Sequence, residues 1–180
     1  MDKTGSRKRG PVGQVQKGSA YFGALGMEVG HFAPLWHLLK VAQLLETELN
    51  RISARSNLSI SDFHLLCALM MEDDEPVRAT DLAHMLNVSD AALSIRVRKL
   101  AAMEMVERRD HPQDQRAHLL RIAARGLAAV QDVASAIEKD ASFISWFRQL
   151  PNEDRQKLGD MLGSFHIFLN RHFLPISRSD

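Results

Sequence analysis

The stretch that most restricts how this chain can fold runs from residue 80 to residue 122. Thr80 or Asp81 opens a short helical segment carrying Leu82, Ala83, Met85 and Leu86. Asn87-Val88 then makes a tight turn. Ser89 is well placed to cap a second helix reaching about Ala102, because a serine hydroxyl accepts from the unpaired N–H groups of a first turn. Residues 105–108 and 118–122 read as two strands, joined by a polar loop that contains Pro112. Val77-Arg78-Ala79, just upstream, is long enough only for a bridging strand. At 100° per residue, Leu93, Val97 and Leu100 share one stripe of the second helix, and Ala91, Ser94, Ile95, Arg98 and Lys99 face the other way.

Helix, tight turn, helix and hairpin, in that order, predict a winged helix-turn-helix within a mainly α chain. The outward stripe suits a helix that enters the major groove of double-stranded DNA. Ala91 and Ser94 are small enough for close approach, Arg98 and Lys99 reach phosphates or guanine edges, and Ile95 is suited to a thymine methyl. An arginine at the tip of the hairpin suits the narrow minor groove, where negative potential concentrates. Asp114, two residues from Arg116, can orient that guanidinium by a charge-assisted hydrogen bond. The expected DNA-contacting set is Ser89, Ala91, Ser94, Ile95, Arg98, Lys99, Arg109, Asp114 and Arg116. The competing reading is a winged helix that serves only protein interaction, and the intact Arg98, Lys99 and Arg116 argue against it.

Charge is distributed to match. Residues 1–17 hold five cations against one anion, and residues 89–125 hold eight against five, although the net formal charge is only +1. Two basic segments on an otherwise acidic body are the footprint of a polyanion partner. Seven of the ten glycines fall in residues 1–30, where no helical periodicity is visible, so residues 1–28 are expected to form a flexible basic tail. From Phe32, the apolar residues Leu35, Leu38, Leu39, Ala42, Leu45, Leu49 and Ile52 mark a long helix ending near Ser56-Asn57. Ser59 or Ser61 caps the next, whose apolar face is Phe63, Leu66, Cys67, Leu69 and Met70. After the hairpin, Leu127 to Ile144 read as one long helix broken at Pro151-Asn152. A last helix carries Leu158, Met161, Leu162, Phe165, Phe168 and Leu169, and Pro175 ends the ordered chain.

These residues resemble the multiple-antibiotic-resistance regulator (MarR) family. The resemblance covers residues 58–169 and extends more loosely to Phe32. It is carried by Leu58-Ser59-Ile60-Ser61-Asp62-Phe63, Asp81-Leu82-Ala83-His84-Met85-Leu86, the segment 89–100, Val106-Glu107-Arg108, the Asp114-Gln115-Arg116 wing and Gly126. The sequence departs from the family where Glu104 stands for a common glycine, Ile122-Ala123 for leucine-threonine, Gln115 for an arginine, and Ile95 for a recognition-helix arginine. The resemblance implies a homodimer built from the first and last helices (residues 29–57 and 123–175) around a DNA-binding domain at 58–122. The two recognition helices would read palindromic half-sites about one DNA turn, ~34 Å, apart. It also implies a repressor that leaves its operator when a small molecule binds, often a phenolic or aromatic acid. The effector walls in this family fall on Phe32, Trp36, His37, Phe63 and Cys67, with Arg121 as a carboxylate partner, and aromatic-compound catabolism is the matching setting.

Other chemistries have less support. Cys67 stands in an apolar run that suppresses thiol reactivity. None of the eight histidines makes an i,i+4 pair within one helix, so no metal site is expected. A metal- or redox-responsive regulator of the same fold is the alternative. No phosphate loop, nucleophile elbow or paired-carboxylate motif is visible, so neither catalysis nor a cofactor is expected. No apolar run approaches the ~18–20 residues of a membrane span, and the amino terminus lacks a secretory apolar segment. Those features predict a cytoplasmic protein without a membrane partner.

Overall fold

Helix α1 (Pro11–Ala24) occupies a stretch whose glycine content predicts no helix. Pro11 stands at the first helical position after an extended Gly10, where its missing N–H removes no intrahelical bond, and Gly26 follows the end at φ 79°. Gly18 faces the Phe32 ring so closely that a Cβ there would overlap it. Phe22 packs on Phe32 at 5.4 Å between ring centroids, and Phe32 stacks on Trp36 at 5.9 Å. The expectation of a flexible tail through residue 28 is therefore corrected over residues 11–24. Their helix is held by tertiary aromatic packing that periodicity does not register.

The computed structural model describes residues 10–72, 75–111 and 114–173, giving the backbone alone for 111, 114–117 and 173. Lys3, Arg7, Lys8, Arg9 and Pro175 lie outside the described residues. The chain divides into two units, Met1–Glu48 and Leu49–Asp180. Helix α2 (Phe32–Ser53) runs from the first into the second, as its periodicity predicts, and a 3-10 turn (Ala54–Ser56) follows. Asn57 then takes a left-handed φ of 57°, which asparagine tolerates, and redirects the chain.

In the second unit, helix α3 (Ile60–Met71) is capped by Ser59, and the alternative, Ser61, is not used. The Ser59 hydroxyl accepts from Asp62 N, and the Asp62 carboxylate accepts from Ser59 N at 2.9 Å. The buried face of α3 is Ile60, Leu65, Leu66 and Leu69; Phe63 and Cys67 are only half-buried, and Leu65 replaces them as the inward residue. Strand β1 (Val77–Arg78), helix α4 (Ala79–Met85), helix α5 (Asp90–Ala102), strand β2 (Val106–His111) and strand β3 (Asp114–Ile122) follow. The sheet is antiparallel in the order β1-β3-β2, with Val77 opposite Leu120 and Val106 opposite Ile122. The strands run through most of the stretch expected to be loop. Leu65, Leu66, Leu69, Leu82, Leu93, Leu100, Leu120 and Val133 meet in a single core.

Helix α6 (Ala124–Asp140) starts hard against the hairpin. A Cβ on Gly126 would overlap the Met105 carbonyl and sit 2.8 Å from Ile122 Cγ1, so only glycine allows this approach. Glu104, at φ 58°, occupies a left-handed position that explains the glycine common there in the resembled family. The long helix expected as far as Pro151 is instead two. Ala141, buried and extended at ψ 130°, separates α6 from α7 (Ser142–Gln149). The apolar stripe of α6 reaches the charged Lys139-Asp140, and α7 restarts with its own aromatic face of Phe143 and Phe147. Arg55 pairs with Asp140 at this junction and holds its carboxyl below the usual range. Helix α8 (Asn152–Phe173) closes the described chain, with Met161, Leu162, Phe165 and Phe168 exposed on its surface.

One carboxylate joins the start of α3 to α5. Asp62 is buried, its side chain 3% exposed, and its Oδ2 receives Lys99 Nζ from α5 at 2.6 Å. Burial pushes its pKa up, but the Lys99 hydrogen bond and the Ser59 N–H and hydroxyl outweigh it and leave the carboxyl below its ordinary value. A carboxyl depressed in the fold stabilises above its unfolded pKa, near 4, and that stabilisation is lost as pH falls through the folded value. Asp62→Asn is expected to cost about 1–3 kcal/mol at pH 7, a gap that narrows below about pH 4 in thermal melts. A gap that stays constant down to pH 3 would contradict the role given to this charge.

Candidate nucleic-acid interface

The turn between α4 and α5 is built from local bonds. Asn87, left-handed at φ 51°, donates its N–H to His84 O, and Val88 N donates to Ala83 O, both at 3.0 Å. Ser89 accepts from Ala92 N at 3.2 Å and so caps α5. Its hydroxyl therefore has a structural task beside the DNA contact expected of it. Leu93, Val97 and Leu100 anchor α5 in the core, which fixes which face looks outward. That face carries Ala91, Ser94, Ile95, Arg98 and Lys99, all exposed as the helical angle predicts.

The two cations of this face differ. Lys99 is half-exposed, but its ammonium is held by Asp62, which sequence periodicity along α5 alone does not reveal. Arg98 has no hydrogen-bond or ion-pair partner among the described residues, so its guanidinium is available to an external anion. In the hairpin, Arg109 is exposed and ion-paired to Glu107 at 2.9 Å. Asp114 and Arg116 lie on the backbone of β3, and their side chains lie outside the described residues. A bulge between Asp110 and His111 displaces the register just before the hairpin end.

A cavity of about 310 Å³ lies between the start of α4, α5 and the hairpin. Leu93, Val97 and Leu120 form its apolar lining, and Thr80, Asp90, Ser94, Arg108 and His118 its polar one. Arg108 donates to His118 Nε2; since arginine can only donate, that nitrogen accepts and Nδ1 carries the proton, which faces Asp110 Oδ1 at 3.1 Å. Arg108, Thr80 and His118 are absent from the sequence-derived set. The signal for Arg108 was the two-residue strand period, which puts it on the same face as the buried Val106 and opposite Leu120.

The candidate effector residues belong to both units of the chain. Phe32 and Trp36 stack in the first unit beside the exposed His37, and Lys40 lies 5.8 Å from the Trp36 ring centroid. Phe63 and Cys67 pack against the core of the second unit, and burial pushes the Cys67 thiol pKa up, away from a reactive thiolate. Arg121 is exposed on β3, opposite Glu107. Among the described residues no group of three or more histidine, cysteine, aspartate and glutamate side chains is arranged to hold a metal, and no helix is long and apolar enough to cross a membrane.

The model of the MarR family matches residues 58–118. The uncharacterized HTH-type transcriptional regulator YdgJ of Bacillus subtilis (strain 168) is 27% identical over 120 residues, covering 67% of this chain and 71% of that protein. A mutant of E. coli MarR complexed with operator DNA superposes with a TM-score of 0.63 at 22% identity, over 73% of this chain and 93% of its own. CouR from Rhodococcus jostii RHA1, bound to p-coumaroyl-CoA, has a TM-score of 0.61 at 20% identity, over 72% and 89% of the two chains.

Proposed function

This chain belongs to the MarR family of DNA-binding transcriptional regulators, and from that premise we propose that it is a repressor that binds a palindromic operator as a two-fold dimer and leaves it when an effector binds. The observation that carries this reading is the outward face of α5. Arg98, without a partner among the described residues, shares that face with the small Ala91 and Ser94, opposite the buried Leu93, Val97 and Leu100 stripe. Ser89, Ala91, Ser94, Ile95 and Arg98 then meet the major groove, while Arg109, Asp114 and Arg116 belong to the wing. Lys99 contributes mainly by holding α5 on Asp62. The function requires DNA in the same compartment, which fits the cytoplasm.

Dimerisation is assigned to the segments 29–57 and 123–175. The supporting observation is apolar surface on α8, where Met161, Leu162, Phe165 and Phe168 are all exposed in the single chain, and on α2, where Leu35, Leu38 and Leu39 are exposed. Apolar patches of this kind are covered in oligomers. Arg98→Ala and Arg116→Ala are each expected to weaken operator binding by about 1–3 kcal/mol in salt-matched gel shifts while leaving a sedimenting dimer intact. Unchanged affinity in both variants, or a monomeric wild type at micromolar concentration, would overturn this reading.

For the effector we propose an aromatic acid or its thioester, a class that includes the p-coumaroyl-CoA bound by CouR. Phe32 and Trp36 stack on each other, both are partly exposed, and the exposed His37 beside them can hydrogen-bond an oxygen of a planar acid. Phe63 and Cys67, half-buried against the core, complete the proposed set. A hundredfold preference for the non-binding dimer corresponds to about 2.7 kcal/mol per site, enough to empty an operator. Hydroxycinnamates and their thioesters are expected to quench the fluorescence of wild type and Trp146→Phe but not of Trp36→Phe, and to release DNA in gel shifts. If none does either, the aromatic effector is wrong.

A further inference from the structure

Ile95 is the one large apolar side chain on the outward face of α5, and it is 62% exposed. It lies one turn after Ala91 and one turn before Arg98, in the first half of the helix, where residues of a reading helix meet base edges. Neither the core nor a side-chain bond uses it, and the Ser89 cap and the Leu93-Val97-Leu100 anchor form without it. A β-branched side chain there has few rotamers, so its methyls present a nearly fixed apolar surface.

In the major groove every base edge presents a donor or an acceptor, and a single apolar group occurs, the 5-methyl of thymine. Facing any of the other three bases, Ile95 would strip water from a polar edge and return no hydrogen bond, which costs affinity. Facing thymine, it buries a methyl against a methyl. We infer that Ile95 is a specificity-determining residue of this chain, selecting a thymine at one position of each operator half-site through its 5-methyl group. The inference rests on the DNA-reading function proposed above. It adds to it a base and an atom.

The test starts from a random-sequence duplex pool, from which the full chain selects its tightest binders. Each thymine of the selected half-site is then replaced by uracil, which removes the methyl and keeps the pairing. At one position per half-site, uracil is expected to weaken binding about 4-fold, or about 15-fold with both half-sites changed, from the loss of one buried methyl group per contact. Cytosine at that position should bind more weakly still, and 5-methylcytosine should recover part of the loss. In Ile95→Ala, thymine and uracil should bind alike; as the side chain is exposed, its thermal melt should match wild type. If the selected duplex binds tightly yet no uracil matters, or if the uracil effect survives in Ile95→Ala, the assignment of Ile95 fails and DNA reading stands. If no duplex is enriched at all, the DNA-reading function itself fails, and this inference with it.

Discussion

A carboxylate taken out of water needs partners on every side, and Asp62 has drawn its partners from two elements. Ser59 supplies an N–H and a hydroxyl from the start of α3, and Lys99 supplies an ammonium from α5. A charge this buried is stabilising only while those bonds hold, because losing one partner leaves it uncompensated. The pair therefore acts as a register pin between the core helix and the reading helix. Leu93, Val97 and Leu100 seat α5 by non-directional burial, which tolerates small rotations; the Asp62–Lys99 contact resists them. Helix rotation decides which side chains meet a base edge, so the chemistry of the outward face depends on an interaction behind it.

The hairpin is fixed to the same core by close approach rather than by charge. Gly126 lets α6 begin against the Met105 carbonyl, and Ala123 N donates to that carbonyl at 3.0 Å. The left-handed Glu104 turns the chain from α5 into β2, and Arg125 reaches back to its carboxylate at 3.1 Å. These contacts seat the hairpin against the start of α6. The cavity under the hairpin, with Arg108 and His118 at its edge, lies on the α4 and α5 side of the sheet.

Local chemistry was legible in the sequence, and tertiary chemistry was not. The Ser89 cap, the Asn87 turn, the inward stripe of α5 and the bridging β1 follow from residue type and spacing within a few positions, and the structure has them. Helix α1 was missed because Gly13, Gly18 and Gly23 lower helix propensity, whereas the seat that Gly18 gives Phe32 favours the helix from outside. The break at Ala141 was missed because alanine is a good helix former, and what stops α6 is burial of that residue in an extended conformation. The helical angle places Lys99 on the outward face of α5, but its partner Asp62 lies 37 residues away in sequence, beyond any helical period. Arg108 closes the expected strand 105–108, but the expected contacts come only from the outward face of α5 and the hairpin tip, and neither includes the strand face that Arg108 shares with Val106.

In the proposed complex two copies of α5 enter the major groove on one face of the DNA. Dimethyl sulfate reports guanine N7, a major-groove atom, so methylation protection on a selected palindromic duplex reads that contact directly. Two patches of protected guanines are expected, related by symmetry and centred about one helical turn, ~34 Å, apart. Binding that leaves every guanine N7 open to methylation, or that protects a single patch, would contradict it.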